Sequence, residues 1–332
     1  MDKNLLIVEF YVIKTRTINR FINFDKLFVK GKRKTFPRLN IIRDIIHFVK
    51  SGCSWIDYTP RYGVPITTLK YHFYKWRDSG VLDELLIGIN KVLRQAKGLP
   101  PNPTFLIIDS SSIDDANSNE IKGYDGHKKV KGIKRFVLVD ELGLVWGVEV
   151  VAANTAEVNG ARLFCNREFI KTIPMVRKII ADKGFVSNAL AKEFLKFRIK
   201  FQAMNKIKTI KNKSDHKIAV ETHIKRLSIA AYENKLISKD RWQVECTFAW
   251  SINYRRLIRN YEKTKSSSRT WIIIFGIGLS LKKMDKVVSQ DEMRNINSFG
   301  EYDMYKDKNN TYAKKFNNQI TKMSICNDMQ CV

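Results

Sequence analysis

The sequence predicts an α/β protein in which a mixed sheet flanked by helices follows a small helical domain. Three observations carry that prediction. Apolar residues recur at helical spacing between Arg38 and Leu93, GLPPNP at 98–103 interrupts the chain with three prolines, and from Phe105 short β-branched runs alternate with helical stretches. The expected division is a lead over 1–35 with no assigned fold, a helical domain over 36–97, a linker over 98–103, an α/β domain over 104–284, and a polar, mobile tail over 285–332.

In the helical domain, Ile41, Ile42, Ile45, Ile46 and Val49 mark the apolar face of a first helix, and Gly52 stops it. PRYGVP is a turn-rich connector. Thr67 or Thr68 is then expected to cap a second helix carrying Leu69, Phe73 and Trp76. Gly80 ends it, and Val81, Leu82, Leu85, Leu86, Ile89, Val92 and Leu93 begin a third. A tight turn before a helix bearing Lys70, Lys75 and Arg77 is compatible with a helix-turn-helix module, and equally with any other three-helix unit.

Beyond the linker, FLIID (105–109) reads as a buried strand running into a polar turn of three serines. RFVLVDELGLVWGVEVVAAN (135–154) reads as an antiparallel hairpin hinged at Glu141, Leu142 and Gly143. A helix is expected over 157–171, then the strand KIIAD (178–182), a helix from Ser187 to Phe197, and a short strand near KFQAM. Residues 206–240 are basic and polar with few periodic cues. A long helix from about Lys239 or Asp240 carries WQVECTFAWSINYRRL. The most apolar run, Trp271 to Leu281, is about half the length needed to cross a bilayer, so it reads as a buried core helix.

Sixty Lys and Arg against 33 Asp and Glu leave a net charge of +27, for which a nucleic-acid partner is the expected explanation. An AT-rich genome that enriches Lys, Asn and Ile is the other source of such an excess. No basic amphipathic segment stands out to favour a membrane surface. Cys53, Cys165, Cys246, Cys326 and Cys331 are scattered, odd in number and form no CxxC pair, so neither a disulfide framework nor a zinc knuckle is indicated and a reducing compartment fits best. The apolar stretch in MDKNLLIVEF is too short for a secretory signal.

The chemistry-bearing candidates are carboxylates. Asp109 and Asp182 each follow an apolar strand run, which puts them on the rim of a sheet where a site can form. A strand-end Asp also serves as a helix cap or turn residue. Glu245 lies among Trp242, Val244, Phe248 and Trp250 on a helix expected to pack against the core, so its charge needs a partner. Two readings are open: a salt bridge to a Lys or Arg, or a metal ion shared with the two aspartates. Hard oxygen ligands select Mg²⁺ or Mn²⁺, and two such ions about 3.5 to 4 Å apart promote in-line displacement at phosphorus without a protein nucleophile. No Ser/His/Asp or Cys/His grouping offers one.

These residues lie in segments that together resemble the DDE transposases of bacterial insertion sequences, specifically the insertion-sequence-five group of the insertion-sequence-four superfamily. In order they are GCSW and FYKWRDSGV, IDSSSI, HKKVKGIKRFVLVDELGL, AANTAEVNGA, ADKGF, and RWQVECTFAW followed by RRL and YEK. The resemblance implies a ribonuclease-H-like catalytic domain with Asp109, Asp182 and Glu245 as the metal-binding triad. It also implies double-stranded DNA as the partner, at the element's terminal inverted repeats and at the target, with cut-and-paste chemistry by a homodimer on DNA. Neither a membrane nor a small-molecule cofactor is expected. The expected location is cytoplasmic and DNA-associated, or nuclear for a eukaryotic host or a viral element.

The chain departs from the family pattern at three places. Cys246 and Asn253 stand where basic residues are common after the catalytic Glu, and Phe136 stands where a His usually follows the basic run. A transposase-derived DNA-binding protein with impaired catalysis is therefore the alternative. Arg255 and Arg256 remain, and Arg256 lies about three turns, roughly 16 Å, beyond Glu245 on the same helix face, a place to hold a phosphate. Lys128, Lys129, Lys131, Lys134 and Arg135 form a run that reads as a DNA-backbone patch or as a solvated loop. Lys183, directly after Asp182, meets a phosphate or pairs with a carboxylate. Trp146, Trp250 and Trp271 read as core residues.

Overall fold

The structure is a computed structural model that describes residues 36–117, 120–204, 235 and 239–303, with side chains described through 287. The lead over 1–35, most of 206–240 and the tail beyond 303 lie outside the described residues. The chain divides into two units at Met284/Asp285.

The first unit opens with three helices, α1 (Arg38–Ser51), α2 (Ile66–Ser79) and α3 (Val81–Ala96). Gly52 and Gly80 end the first two with φ of 73° and 71°, left-handed values that glycine adopts without strain. Pro65 fixes the entry to α2, so the helix starts at Ile66 and neither Thr67 nor Thr68 is its cap.

Next come β1 (Phe105–Asp114), β2 (Gly123–Asp125), β3 (Val130–Val139) and β4 (Val145–Ala152). β1 pairs antiparallel with β3, and β3 pairs antiparallel with both β2 and β4. The hairpin of β3 and β4 turns where the sequence places it, with Gly143 at φ 69°. The helix expected over 157–171 is two short ones, α4 (Glu157–Arg162) and α5 (Arg167–Thr172). Phe164 turns inward between them, and the Asn166 side chain starts the second by accepting from the Phe169 N–H. Then follow β5 (Lys178–Ala181), α6 (Asn188–Leu195), capped by the Ser187 hydroxyl, and β6 (Lys200–Ala203). β5 pairs parallel with β1 and β6 parallel with β5, so the sheet is mixed, in the order β2, β3, β1, β5, β6 with β4 also on β3.

The expected polar turn after FLIID is instead more strand. β1 continues through Ser110, Ser111 and Ser112 to Asp114, because the ten-residue β3 offers it a partner at each step, Ser110 opposite Phe136 and Ser112 opposite Lys134.

Two helical stretches complete the unit: α7, over 239–251, and the part of α8 (Lys265–Asp303) up to Met284. In α8 the run from Trp271 to Leu281 is buried throughout. Trp271 stacks on Phe73 at 4.0 Å between centroids, and Gly276 lets the helix approach Leu86 of α3 and Val145 of β4. Asn90 of α3 completes the junction, donating to the Val145 carbonyl and accepting from Ser280. The helical segment and the sheet are thus joined through α8. Within the second unit, residues 285–303 are helical, whereas the sequence places a tail from 285. Among the described residues, no helix is long and apolar enough to cross a membrane.

Candidate active site

β1 and β5 run parallel, with Ile107 paired to Ile180, so two residues further on Asp109 and Asp182 lie side by side. Asp109 is within β1, paired across to Val137, and Asp182 is the first residue beyond β5. Asp109 therefore does not stand at a strand end, as FLIID suggested. It stands where the parallel partner ends and the sheet opens. Asp182 adopts an extended conformation ahead of a 3₁₀ turn over Lys183–Phe185, but its side chain makes no capping hydrogen bond. Its carboxylate faces Arg241 instead.

Glu245 projects from α7, which is anchored by buried Val244 and by the Thr247 hydroxyl donating to the Gly143 carbonyl at the hairpin turn. The packing differs from the expected one. Trp242 is 61% exposed and the Glu245 side chain 48% exposed, so Glu245 lies at the mouth of the site and not in the core.

The three carboxylates meet at one cation, Arg241. Its Nη2 lies 3.5 Å from Asp109 Oδ2 and 3.5 Å from Glu245 Oε1, and its Nη1 lies 3.3 Å from Asp182 Oδ1. The salt-bridge reading of Glu245 and the three-carboxylate reading thus coexist in one cluster. Arg241 was not among the residues singled out from the sequence. Its spacing of four from Glu245, one helical turn on the same face, was the available signal.

Exposure grades outward from Asp109 through Asp182 to Glu245. Burial raises the Asp109 carboxyl above the usual carboxylate range; the Ser110 N–H and Arg241 oppose the rise, Asp182 adds to it, and Lys128 opposes it. Among the described residues, no three Asp, Glu, His or Cys side chains are close enough to ligate one ion as they stand. The donor set nevertheless fits a hard divalent cation: three carboxylates, all oxygen donors, face one positive group.

The basic candidates separate into exposed and internal residues. Lys128, Lys129 and Lys131 are exposed around the turn between β2 and β3, and Lys183 is exposed beside Asp182. Lys134 and Arg135 are not surface residues. Lys134 Nζ is buried against the Thr155 carbonyl at 2.7 Å, Glu157 at 3.2 Å and Asp125 at 3.6 Å. Arg135 donates to the Leu257 carbonyl at 2.9 Å, and burial pushes its guanidinium down to about 10. β3 is covered on both faces there, so these two charges are drawn inside with partners.

Arg256 is also internal. α7 ends at Ser251, which removes the continuous face that would align Arg256 with Glu245. The Arg256 guanidinium instead donates to the Cys53 carbonyl, pairs with Glu262 at 2.6 Å, and lies over the rings of Phe48 and Trp271. Arg255 is exposed. On α2, Lys75 is exposed beside Tyr71, Lys70 is half-buried, and Arg77 pairs with Asp78 while donating to Ser267 of α8. Phe136, Trp146 and Trp271 are core residues; Trp250 is half-buried beneath the Lys283 ammonium.

No curated protein matches the sequence. Among solved structures the chain is similar to a piggyBac transposase, in its synaptic complex with hairpin DNA, at 12% identity and a TM-score of 0.40, over 91% of this chain and 80% of that one. The family described as "Transposase DDE domain" matches residues 100–277, more than half of the chain and a span containing Asp109, Asp182 and Glu245. The chain belongs to the transposases with a DDE domain.

Proposed function

We propose that the protein is an active transposase of the insertion-sequence-five group, within the insertion-sequence-four superfamily, built on a ribonuclease-H-like catalytic domain. It binds the terminal inverted repeats of a mobile element, as a homodimer on DNA, and cuts and joins DNA strands. The observation that carries this reading is the convergence of Asp109, Asp182 and Glu245 on a single cation where β1 outruns β5.

Asp109, Asp182 and Glu245 would hold Mg²⁺ or Mn²⁺. When bound, two such ions supply activation of a water or 3′-hydroxyl and stabilisation of the leaving oxygen. The protein's own part is to fix the carboxylates: Asp109 by its place in β1 and the Ser110 N–H, Asp182 by the end of β5, and Glu245 by the seating of α7. Lys128, Lys129, Lys131, Lys183 and Arg255 are exposed cations suited to the DNA backbone, and Lys70 and Lys75 of α2 are suited to the element end.

The neutral residues Cys246 and Asn253 favour a second reading, a transposase-derived protein that binds repeats without cutting. One experiment separates the two. Wild-type protein and Asp182→Ala are incubated with DNA carrying both ends of the element, in Mg²⁺ or Mn²⁺. The active enzyme nicks at the ends and Asp182→Ala does not; salt-sensitive binding without nicking in either metal establishes the second reading. Equal cleavage by both proteins removes Asp182 from the site.

A further inference from the structure

The guanidinium of Arg241 stands at the centre of the carboxylate cluster, touching all three at 3.3 to 3.5 Å. Oxygens of Asp109 and Glu245 share the same nitrogen, Nη2. A divalent ion held by Asp109 and Glu245 would compete with that nitrogen for the same two oxygens. The two cations also repel each other in a half-buried site, where charges are poorly screened. Guanidinium and metal would therefore compete for the same oxygens and oppose one another by charge.

The hold of Arg241 is also loose. Charge-assisted N–H···O bonds are usually about 2.7 to 2.9 Å long, and all three contacts here are longer. Arg241 Nε is buried without a hydrogen-bond partner among the described residues, although the side chain is only 12% exposed. By contrast, Arg94, buried between Asp140 and Glu141, has contacts of 2.7 and 2.9 Å and a third bond from Nε to the Pro100 carbonyl. Arg94 grips two carboxylates at short distances, whereas Arg241 touches three at longer ones, with Nη1 also 3.7 Å from the Met204 sulfur, at a site of excess negative charge.

We propose that Arg241 is a positioning residue that stands in for metal, gathering Asp109, Asp182 and Glu245 in the metal-free protein and vacating the cluster when the first divalent ion enters. It keeps three like charges from splaying the site apart, at the expense of metal affinity. The inference rests on the triad reading above, and the test is arranged so that each can fail separately.

Mn²⁺ alone is titrated into DNA-free protein, with free Mn²⁺ followed by electron paramagnetic resonance. Arg241→Gln, which keeps the side chain polar but removes the charge, binds Mn²⁺ at least about tenfold more tightly than wild type. Arg241→Lys keeps the charge and stays within about threefold of wild type. Asp109→Asn abolishes binding in either background. Affinity in Arg241→Gln equal to or below wild type overturns the inference while leaving the triad intact. Wild-type binding that survives Asp109→Asn overturns the triad, and the inference with it.

A second measurement stands if Arg241→Gln does not fold. The ¹⁵Nε–Hε resonance of Arg241, assigned by its absence in Arg241→Lys, shifts as Mg²⁺ saturates the wild-type protein. A resonance unmoved at saturation shows that the guanidinium stays in place, and overturns the inference.

Discussion

Phe136 follows the basic run at the start of β3, and its surroundings explain the aromatic ring. It points into the core from β3, fully buried, edge-on to Phe185 at 6.1 Å between centroids. A Cβ built on Gly160 of α4 would fall 2.1 Å from the tip of the ring, so α4 reaches the sheet only because residue 160 lacks a side chain. Gly160→Ala is expected to cost about 1 to 3 kcal/mol, since the ring is confined on its far side by Phe185. The measure is a lower urea midpoint at an unchanged m value; an unchanged midpoint would mean that the ring has room to move. At this scale the sequence was legible where a residue's role is local. Asp109 and Asp182 could be read because each follows an apolar run that builds a strand. Lys134 and Arg135 could not be read as buried, because their partners Thr155, Glu157 and Leu257 come from segments far along the chain. Arg241 lay within reach, one helical turn before Glu245, but a run of basic residues nearby gave no reason to choose it.

Between elements, the decisive contact is the aromatic stack that joins α1 and α2 to α8. Trp271 lies at 4.0 Å from Phe73, at 5.5 Å from Phe48 and at 5.9 Å from Trp55, with the Arg256 guanidinium over its ring at 5.1 Å. Phe73→Ala removes the stacked partner of a buried indole and is expected to cost about 3 to 5 kcal/mol. Because α8 also packs on β4 through Gly276, heating should melt the variant in one transition, seen together by near-ultraviolet circular dichroism and by intrinsic tryptophan fluorescence. An earlier, separate transition in Phe73→Ala would instead make 36–97 an independent domain. The sequence marked 271–281 as a buried helix by its composition, yet nothing local announced its partners, about 200 residues earlier in the chain. The same limit applies to α7, whose apolar pattern runs on past Ser251. There the Ser251 hydroxyl turns back onto the Phe248 carbonyl and the chain leaves the helix, carrying Arg256 inward.

For the molecule as a whole, the net charge of +27 matters by its distribution rather than its size. Part of it is spent internally: Lys134, Arg94 and Arg256 each neutralise buried or half-buried carboxylates, and Arg135 donates to a backbone carbonyl. Such charges cannot release counterions from DNA, because they have no phosphate to reach. Lys128, Lys129 and Lys131 are different, being exposed around the turn between β2 and β3, and Lys128 lies near enough to act on the Asp109 carboxyl. Affinity for DNA should therefore fall steeply with salt, and replacing all three lysines by alanine should reduce the slope of log K against log salt by about one for each lysine that contacts a phosphate. Lys134→Met tests the distinction between inner and outer charge. It strips the partner from Asp125 and Glu157, so it should lower thermal stability while leaving the salt slope as it was, measured in folded protein below its melting temperature. A slope unchanged in the triple variant, or reduced in Lys134→Met, would move the DNA path away from the turn between β2 and β3.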